Sequence, residues 1–191
     1  DVLHQLAQVR IDLLVYAELA RVDDAHRQAG ADGVVQKHRV DGLAHGILAT
    51  TQAGDVDVTA IGGPIDVQSA SGDAFGIDAT TAGVGLVTVD STVDIYVDSY
   101  GAGATGIFAQ GYNGNVVVGS AGDIIAHGYG TSYGVNAQAN DGAVQVTHGG
   151  SIDVTSDYGT GYGILAGTSG IGDVTITGAG DVTVDGALGA G

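Results

Sequence analysis

The phrase Gly106-Ile107-Phe108-Ala109 decides the fold, because close copies of it recur along the chain at a nearly constant interval. The glycines of the five copies are 30, 30, 28 and 29 residues apart. The copies are Gly46-Ile47-Leu48-Ala49, Gly76-Ile77-Asp78-Ala79, Gly106-Ile107-Phe108-Ala109, Gly134-Val135-Asn136-Ala137 and Gly163-Ile164-Leu165-Ala166. A fixed period near thirty residues is typical of a solenoid, in which each unit buries its apolar edge against its neighbours.

A second repeated glycine, about nine residues after the first, opens a short strand in each unit. Apolar and polar residues mostly alternate in these strands, which is the period of a half-buried strand. The strands are Asp55-Val56-Asp57-Val58, Leu86-Val87-Thr88-Val89, Asn115-Val116-Val117-Val118, Ala143-Val144-Gln145-Val146 and Asp173-Val174-Thr175-Ile176. A further strand follows in each unit, as in Ile152-Asp153-Val154. Each unit therefore predicts three short strands and three turns.

The length of one unit matches one turn of a β-helix. About thirty residues at roughly 3.3 Å each make a closed triangular lap, and successive laps can form hydrogen bonds at a spacing of about 4.8 Å. The repeats predict an all-β, right-handed parallel β-helix of about five coils of 28–31 residues with a thin core of Val, Ile and Ala. One core column is expected to contain Val56, Val87, Val116, Val144 and Val174. The 35 glycines fall at fixed phases, which predicts corners rather than disorder.

The segment 1–41 differs in composition from the repeats of 42–191. A solenoid needs an end unit that shields its first coil, so we interpret this segment as a cap or a divergent coil. Its apolar residues allow a helical stripe at Val2, Leu6, Val9, Leu13 and Ala17. They also alternate as a strand would at Val9, Ile11, Leu13, Val15, Ala17 and Leu19. Periodicity leaves helix and strand both open, and the sharp boundary leaves open that the segment is foreign to the rod.

Charge divides the chain at the same place. All five Lys and Arg residues lie in the first 39 positions, and the remaining 152 contain 16 aspartates and no glutamate. Such a rod repels nucleic acid and has no basic side chain with which to displace counterions, which excludes nucleic acid as its partner. No apolar run is long enough to span a bilayer, so we expect no direct membrane insertion of this segment. Without cysteine, the chain forms no disulfide and has no thiol chemistry.

One aspartate per unit predicts a column of carboxylates about 4.8 Å apart along one face of the rod. The column would contain Asp66, Asp94, Asp123, Asp153 and Asp181. Like charges at that spacing repel, so either water solvates these carboxylates or calcium bridges them. The strong hydration of exposed carboxylates favours the solvated face, with the cation ladder as the alternative. No cofactor is predicted, and the nonapeptide rows of calcium-binding repeats do not occur.

Aromatic and imidazole side chains are the remaining candidates. Three tyrosines, each followed by glycine, are predicted to stack in a column of Tyr100, Tyr129 and Tyr158. A companion set precedes the Gly-Ile phrase at Phe75, Tyr133 and Tyr162. Ring packing over the corners is the favoured interpretation, and a strip that contacts carbohydrate or protein is the alternative. The histidines lack ligand-spaced partners and are interpreted as exposed turn residues at His45, His127 and His148.

The order of these elements resembles the passenger domains of bacterial autotransporters, most clearly in the unit Tyr133 to Tyr162. The shared pattern is a Gly-Ile-x-Ala phrase, a Gly-x-Val-x-Val strand, a Ser-Ile-Asp-Val type strand and a Tyr-Gly turn. The resemblance covers roughly residues 42–191, and related filamentous adhesins share such coils. It implies export by a Gram-negative bacterium, display or release at the cell surface, and adhesion as in virulence. It also implies an outer-membrane translocator barrel elsewhere in a longer chain, of which 42–191 would be a fragment.

The predicted function is therefore a non-enzymatic extracellular stalk or adhesive surface that binds multivalently to a host glycan or protein, or to itself. The alternative is a fragment of a polysaccharide hydrolase or lyase, because β-helices also carry those activities. By resemblance to known β-helix lyases, such a lyase would have a calcium-aspartate site with a basic side chain beside it, and the rod has no such base. A hydrolase could use clustered aspartates. Catalytic sites interrupt repeats with long loops, so the regular coils favour binding.

Overall fold

A computed structural model of the chain describes residues 9–11 and 39–187, and these form 17 strands in three parallel sheets. Sheet I contains β1 (Val9–Ile11), β4 (Val56–Ala60), β7 (Val87–Ser91), β10 (Val116–Ser120), β13 (Val144–His148) and β16 (Val174–Gly178). Sheet II contains β2 (Arg39–Val40), β5 (Ile65–Ser69), β8 (Ile95–Ser99), β11 (Ile124–Gly128), β14 (Ile152–Ser156) and β17 (Val182–Gly186). Sheet III contains β3 (Ala44–Thr51), β6 (Ala74–Thr81), β9 (Ala104–Gly111), β12 (Ser132–Ala139) and β15 (Gly161–Thr168).

The strands stack as a β-solenoid of about five turns with three strands per coil, which confirms the predicted fold class. Each strand pairs in parallel with the strand one coil away, never with its neighbour in sequence. Among β2–β17, paired residues are 28 to 31 positions apart, from Val116 with Val144 to Val56 with Val87, whereas β1 pairs with β4 across 47 positions. No described residue is helical. The right-handed sense of the coil stays a prediction.

The core is a three-sided column of aliphatic side chains, one row from each sheet. The predicted valine column is confirmed in register, and its members Val87, Val116 and Val144 are at most 1 % exposed. Sheet II adds a row of isoleucines and sheet III adds another, as in Ile124 and Ile107. In β4 and β5, and in the equivalent strands of the next three coils, buried side chains alternate with partly or fully exposed ones because successive residues of a strand point to opposite faces.

At the carboxy-terminal end the same rows are open to solvent. Val174 and Val182 continue the core columns in register but are 43 % and 50 % exposed. The described strands β15, β16 and β17 each have a neighbour on one side only. No described residue belongs to a helix long and apolar enough to cross a membrane.

The glycine of the Gly-Ile phrase lies inside a sheet III strand and not at a corner, which corrects the prediction for this set. A Cβ on Gly46 would stand 2.5 Å from Ile65 Cγ2 and 2.6 Å from the carbonyl oxygen of Gly76. Gly76, Gly106 and Gly134 meet the same two kinds of atom, and Gly163 meets the side chain of Val182. This position is glycine because the backbone passes directly over a core isoleucine. The corner prediction is confirmed at Gly54, whose φ of 105° favours glycine.

Buried serines at the ends of three sheet II strands, β5, β8 and β14, form hydrogen bonds with the corner of the preceding coil. The Ser99 hydroxyl donates to the carbonyl oxygen of Gly72 at 2.8 Å, and that of Ser69 donates to the carbonyl of Gly42. Both serines are at most 3 % exposed. These bonds satisfy hydroxyl groups that would otherwise be buried without a partner.

Two short strands connect the amino-terminal segment to the rod. The first, β1, pairs in parallel with β4 and places Val9 beside Val56, so residues 9–11 are strand and extend sheet I by one coil. The second, β2, pairs with β5 through Arg39 and Val40. The rest of the predicted cap lies outside the described residues.

Candidate functional site

The five aspartates do not form one column, so the predicted geometry of the cation ladder is wrong. Three of them immediately precede strands of sheet II, namely Asp94, Asp123 and Asp181. Two are the second residues of their strands, namely Asp66 and Asp153. The two positions are two residues apart along the strand, or about 6.6 Å. In the two coils between Asp66 and Asp153, uncharged residues occupy the equivalent register position, namely Tyr96 and Ile125.

The aspartates that precede strands hold neighbouring coils together. Asp94 Oδ1 accepts the backbone N–H of Asp123 at 3.0 Å, and Asp123 Oδ1 accepts both the N–H and the hydroxyl of Ser151 at 2.8 Å. The hydrogen bonds from the backbone and hydroxyl of Ser151 lower the pKa of Asp123. Within the described ranges, no three acidic or histidine side chains are grouped so as to hold a metal ion. The hydrogen bonds of Asp94 and Asp123 give these two carboxylates a structural role.

The three predicted ligand-binding tyrosines lie at the corner between sheets II and III, on consecutive coils. Tyr100 and Tyr129 occupy equivalent positions, and their N–H groups donate to the carbonyl oxygens that end the strands one coil earlier. Tyr158 is one residue later, because Asp157 takes that position in its coil. The Tyr158 ring nevertheless packs on the Tyr129 ring with centroids 4.4 Å apart. Exposed fractions of 49 %, 46 % and 69 % leave all three rings open to solvent.

A histidine between two carboxylates lies beside these rings. Asp98 Oδ1 is 3.1 Å from His127 Nδ1, and Asp157 Oδ1 is 3.4 Å from His127 Nε2. Asp98 also accepts the Tyr100 hydroxyl at 3.0 Å. We call the set of Tyr100, Tyr129, Tyr158, Asp98, His127 and Asp157 the tyrosine edge. It combines exposed aromatic faces with partly exposed carboxylates on one corner of the rod.

Sequence reasoning missed Asp98 and Asp157 and gave His127 no part in a site. Asp98 and His127 both come three residues after a core isoleucine, Ile95 and Ile124, and are register partners. Counting outward positions from those isoleucines would have found the pair. Asp157 carried no such signal, because its coil contains one additional residue before the tyrosine.

A shallow groove of about 420 Å³ adjoins the tyrosine edge on the outer face of sheet II. Its lining includes Asp66, Tyr96, Asp98 and His127. Burial raises the pKa of the Tyr96 hydroxyl, with the charges of Asp94 and Asp123 adding to the effect. The groove brings one residue of the predicted ladder close to the tyrosine edge.

The companion aromatic set forms a column on sheet III that one residue interrupts. Phe75, Thr105, Tyr133 and Tyr162 are successive register partners. The Tyr133 and Tyr162 rings stack with centroids 5.1 Å apart and an interplanar angle of 8°. Phe75 stacks instead on His45 at 5.1 Å. These half-buried rings pack on the outer face of sheet III, within the strands and not over the corners as the packing interpretation predicted.

None of the three histidines is a turn residue, so that prediction is wrong; His127 lies in β11, and only its exposed side chain agrees with the prediction. His148 is the last residue of β13 and only 2 % exposed, and its Nδ1 lies 2.6 Å from the Ser120 hydroxyl oxygen. His45 lies in β3, where its Nε2 is 3.1 Å from Asp78 Oδ2. Burial lowers the pKa of His148, and hydrogen bonds with the backbone of Ser151 and Gly150 and the charge of Asp123 offset this only in part.

His148→Ser is expected to make stability less sensitive to acid. In the unfolded chain the imidazole binds a proton near pH 6.5, whereas burial lowers that pKa in the native state. Below about pH 6.5 the unfolded state therefore binds more protons than the native state, and stability falls as the pH falls. Serine occupies this position one coil earlier, at Ser120.

The measurement is the melting temperature of both chains at about pH 7, 6 and 5, a window above the ordinary pKa of aspartate. Between about pH 7 and pH 5, the melting temperature of the wild type should fall by several degrees more than that of the variant. Equal losses in the two chains would contradict a buried neutral imidazole.

Comparison of the chain with protein-family models, with curated proteins and with solved structures gave no significant match.

Proposed function

We propose that this chain is a non-enzymatic binding rod, the extracellular stalk or adhesive surface of an autotransporter-like protein of a Gram-negative bacterium. The tyrosine edge is its contact surface. The observation that carries this proposal is the presence of three tyrosines on consecutive coils, each exposed by 46 % or more, along one corner. Tyrosine supplies a large contact area at a low cost in conformational entropy, which is why it is enriched in binding surfaces. Export and surface display rest on the resemblance of the repeats alone.

Regular coils support multivalent binding. Successive coils are about 4.8 Å apart, so the rings of neighbouring coils can contact one extended partner at the same time. Tyr129 and Tyr158 already form a continuous aromatic surface, with centroids 4.4 Å apart. Weak contacts made by one rod add through effective concentration once the first contact is formed. The partner in this proposal is a host-surface glycan or protein, or a second copy of the chain.

A test is the adherence of coated beads to cultured host cells. The triple variant Tyr100→Ser, Tyr129→Ser, Tyr158→Ser should reduce adherence by about tenfold, because alanine-type truncation of central aromatic contacts commonly removes most binding energy. Tyr112→Ser is the matched control, since Tyr112 is 53 % exposed but lies at another corner, after β9. Circular dichroism and melting curves check that all chains fold. Unchanged adherence of the folded triple variant would contradict the proposal.

A polysaccharide hydrolase is the second candidate, because the groove on sheet II contains two carboxylates, Asp66 and Asp98. Glycoside hydrolysis commonly uses a pair of carboxylates that flank the scissile bond. Release of reducing sugar from a panel of polysaccharides, lost in Asp66→Asn and in Asp98→Asn, would favour this candidate. Asp66→Asn, which lies outside the tyrosine edge, should leave bead adherence largely intact if the rod only binds.

A further inference from the structure

The polar side chains of the tyrosine edge carry negative charge. Asp98 and Asp157 lie on either side of His127, at 3.1 and 3.4 Å from its two ring nitrogens. Their side chains are 30 % and 47 % exposed, and because Asp98 Oδ1 is buried, a ligand reaches Asp98 through Oδ2 and reaches Asp157 through its more exposed carboxylate. With two carboxylates and one imidazole, the set is net negative whether or not His127 binds a proton. The ring of Tyr100 is fixed beside them through its hydroxyl, which donates to Asp98.

The rest of the rod reinforces this sign of charge. Positions 40–191 contain 16 aspartates and neither lysine nor arginine. An anionic ligand would be repelled along the whole edge, and no guanidinium or ammonium group is present in those positions to bind it. A cationic ligand would be attracted before contact and would meet carboxylates at the edge itself. The exposed rings alone do not distinguish a cationic from an anionic ligand. Charge complementarity therefore favours the cationic one.

We propose that the tyrosine edge binds an arginine-rich segment of a partner protein, an inference that rests on the proposed function. The faces of Tyr129 and Tyr158 can attract guanidinium groups through their π-systems, and Asp98 and Asp157 can form charge-assisted hydrogen bonds with them. Arginine suits such a site better than lysine because its planar guanidinium both stacks on rings and pairs with carboxylates in a bidentate manner. The edge extends over three coils, about 10 Å, so it engages two or three side chains of one segment rather than a single amine.

The test uses a ten-residue peptide of alternating arginine and glycine, with lysine and glutamate versions of equal length. Binding to the full chain is measured by fluorescence anisotropy in 0.15 M salt, where exposed charges farther away than about 8 Å are largely screened. Asp98→Asn with Asp157→Asn removes two charges from the edge. The matched control is Asp57→Asn with Asp90→Asn, which removes two charges from the outer face of sheet I.

We expect the arginine peptide to bind more tightly than the lysine peptide, and the glutamate peptide not to bind. Loss of the two edge carboxylates should weaken arginine-peptide binding by about five- to tenfold, since each exposed ion pair contributes modestly. The control pair should weaken it by less than about twofold. Equal weakening by both pairs would mean that binding follows net charge only, and it would overturn the proposal.

The adherence assay separates this inference from the proposed function. If Tyr100, Tyr129 and Tyr158 are required for adherence but the arginine peptide does not bind the wild type, the edge recognises an uncharged glycan or an apolar protein surface, and the arginine inference alone is overturned. If their loss leaves adherence unchanged, the proposed function is overturned and the arginine inference falls with it.

Discussion

Gly106→Ala is expected to lower the melting temperature by roughly 6–12 °C, the effect of overpacking at the upper end of its usual cost. Overpacking a dense interior costs about 1–3 kcal/mol and occasionally more, and each kcal/mol shifts the melting temperature of a domain of this size by about 2–4 °C. The added Cβ would stand 2.5 Å from the carbonyl oxygen of Gly134 and closer still to the Ile124 side chain. Backbone atoms bound into the next coil cannot move away from it without breaking the parallel pairing of β9 with β12.

The matched control is Gly119→Ala, in strand β10 of the same region. There the nearest atom to an added Cβ is Asp90 Oδ1 at 3.7 Å, an ordinary van der Waals contact. Alanine is favoured over glycine inside a strand by roughly 0.5–1 kcal/mol, so this variant should be neutral or more stable. Thermal melts followed by circular dichroism compare the two. A Gly106→Ala chain as stable as the wild type would show that the coil does not pass over the core isoleucine.

Ile124→Ala is expected to cost about 2–5 kcal/mol of unfolding free energy, the usual range for removing a buried isoleucine side chain. Ile124 begins β11, is completely buried, and lies between Ile95 and Ile152 in the core row of sheet II. The next residue, Ile125, points to the opposite face and is 40 % exposed. Ile125→Ala should therefore change stability by roughly 0.5 kcal/mol.

Urea unfolding of the two variants tests the register directly, since the residues are adjacent and chemically identical. A one-residue slip of β11 would exchange the two faces of the strand. The opposite order of effects, with Ile125→Ala the more damaging, would contradict the register.

The fold could be predicted from sequence because its determinants recur. A valine such as Val116 has apolar counterparts one coil away on either side, so alternation within a strand and recurrence between strands predict the same buried position. The repeat pattern identifies Gly46, but it predicts a corner that uses the conformational freedom of glycine. Glycine is required there because a Cβ would contact Ile65 and the next coil, and these contacts are visible only in the three-dimensional structure.

The site was less predictable because aspartates and tyrosines were grouped by residue type, without regard to their register in the strands. Asp66 follows the first core residue of its strand and Asp94 precedes it, and this offset places them in different columns. The polarity of His148 predicts a surface position, whereas the residue occupies an inward position that serine holds in the two preceding coils, at Ser120 and Ser91. The Tyr158 ring contacts the Tyr129 ring although the coil of Tyr158 has one additional residue before the tyrosine. Counting residues along the sequence does not predict this contact.

A parallel stack that brings the tyrosines to one edge is tested most directly by distances between spin labels. The 191-residue chain has no cysteine, so cysteines can be placed at will. The outward positions Asp57, Thr88, Val117, Gln145 and Thr175 are successive register partners on sheet I. Electron paramagnetic resonance on pairs that include Asp57→Cys should give separations that grow by about 4.8 Å per coil, reaching about 19 Å with Thr175→Cys. Separations that do not grow with the number of coils, or that exceed about 30 Å for the last pair, would contradict the stack.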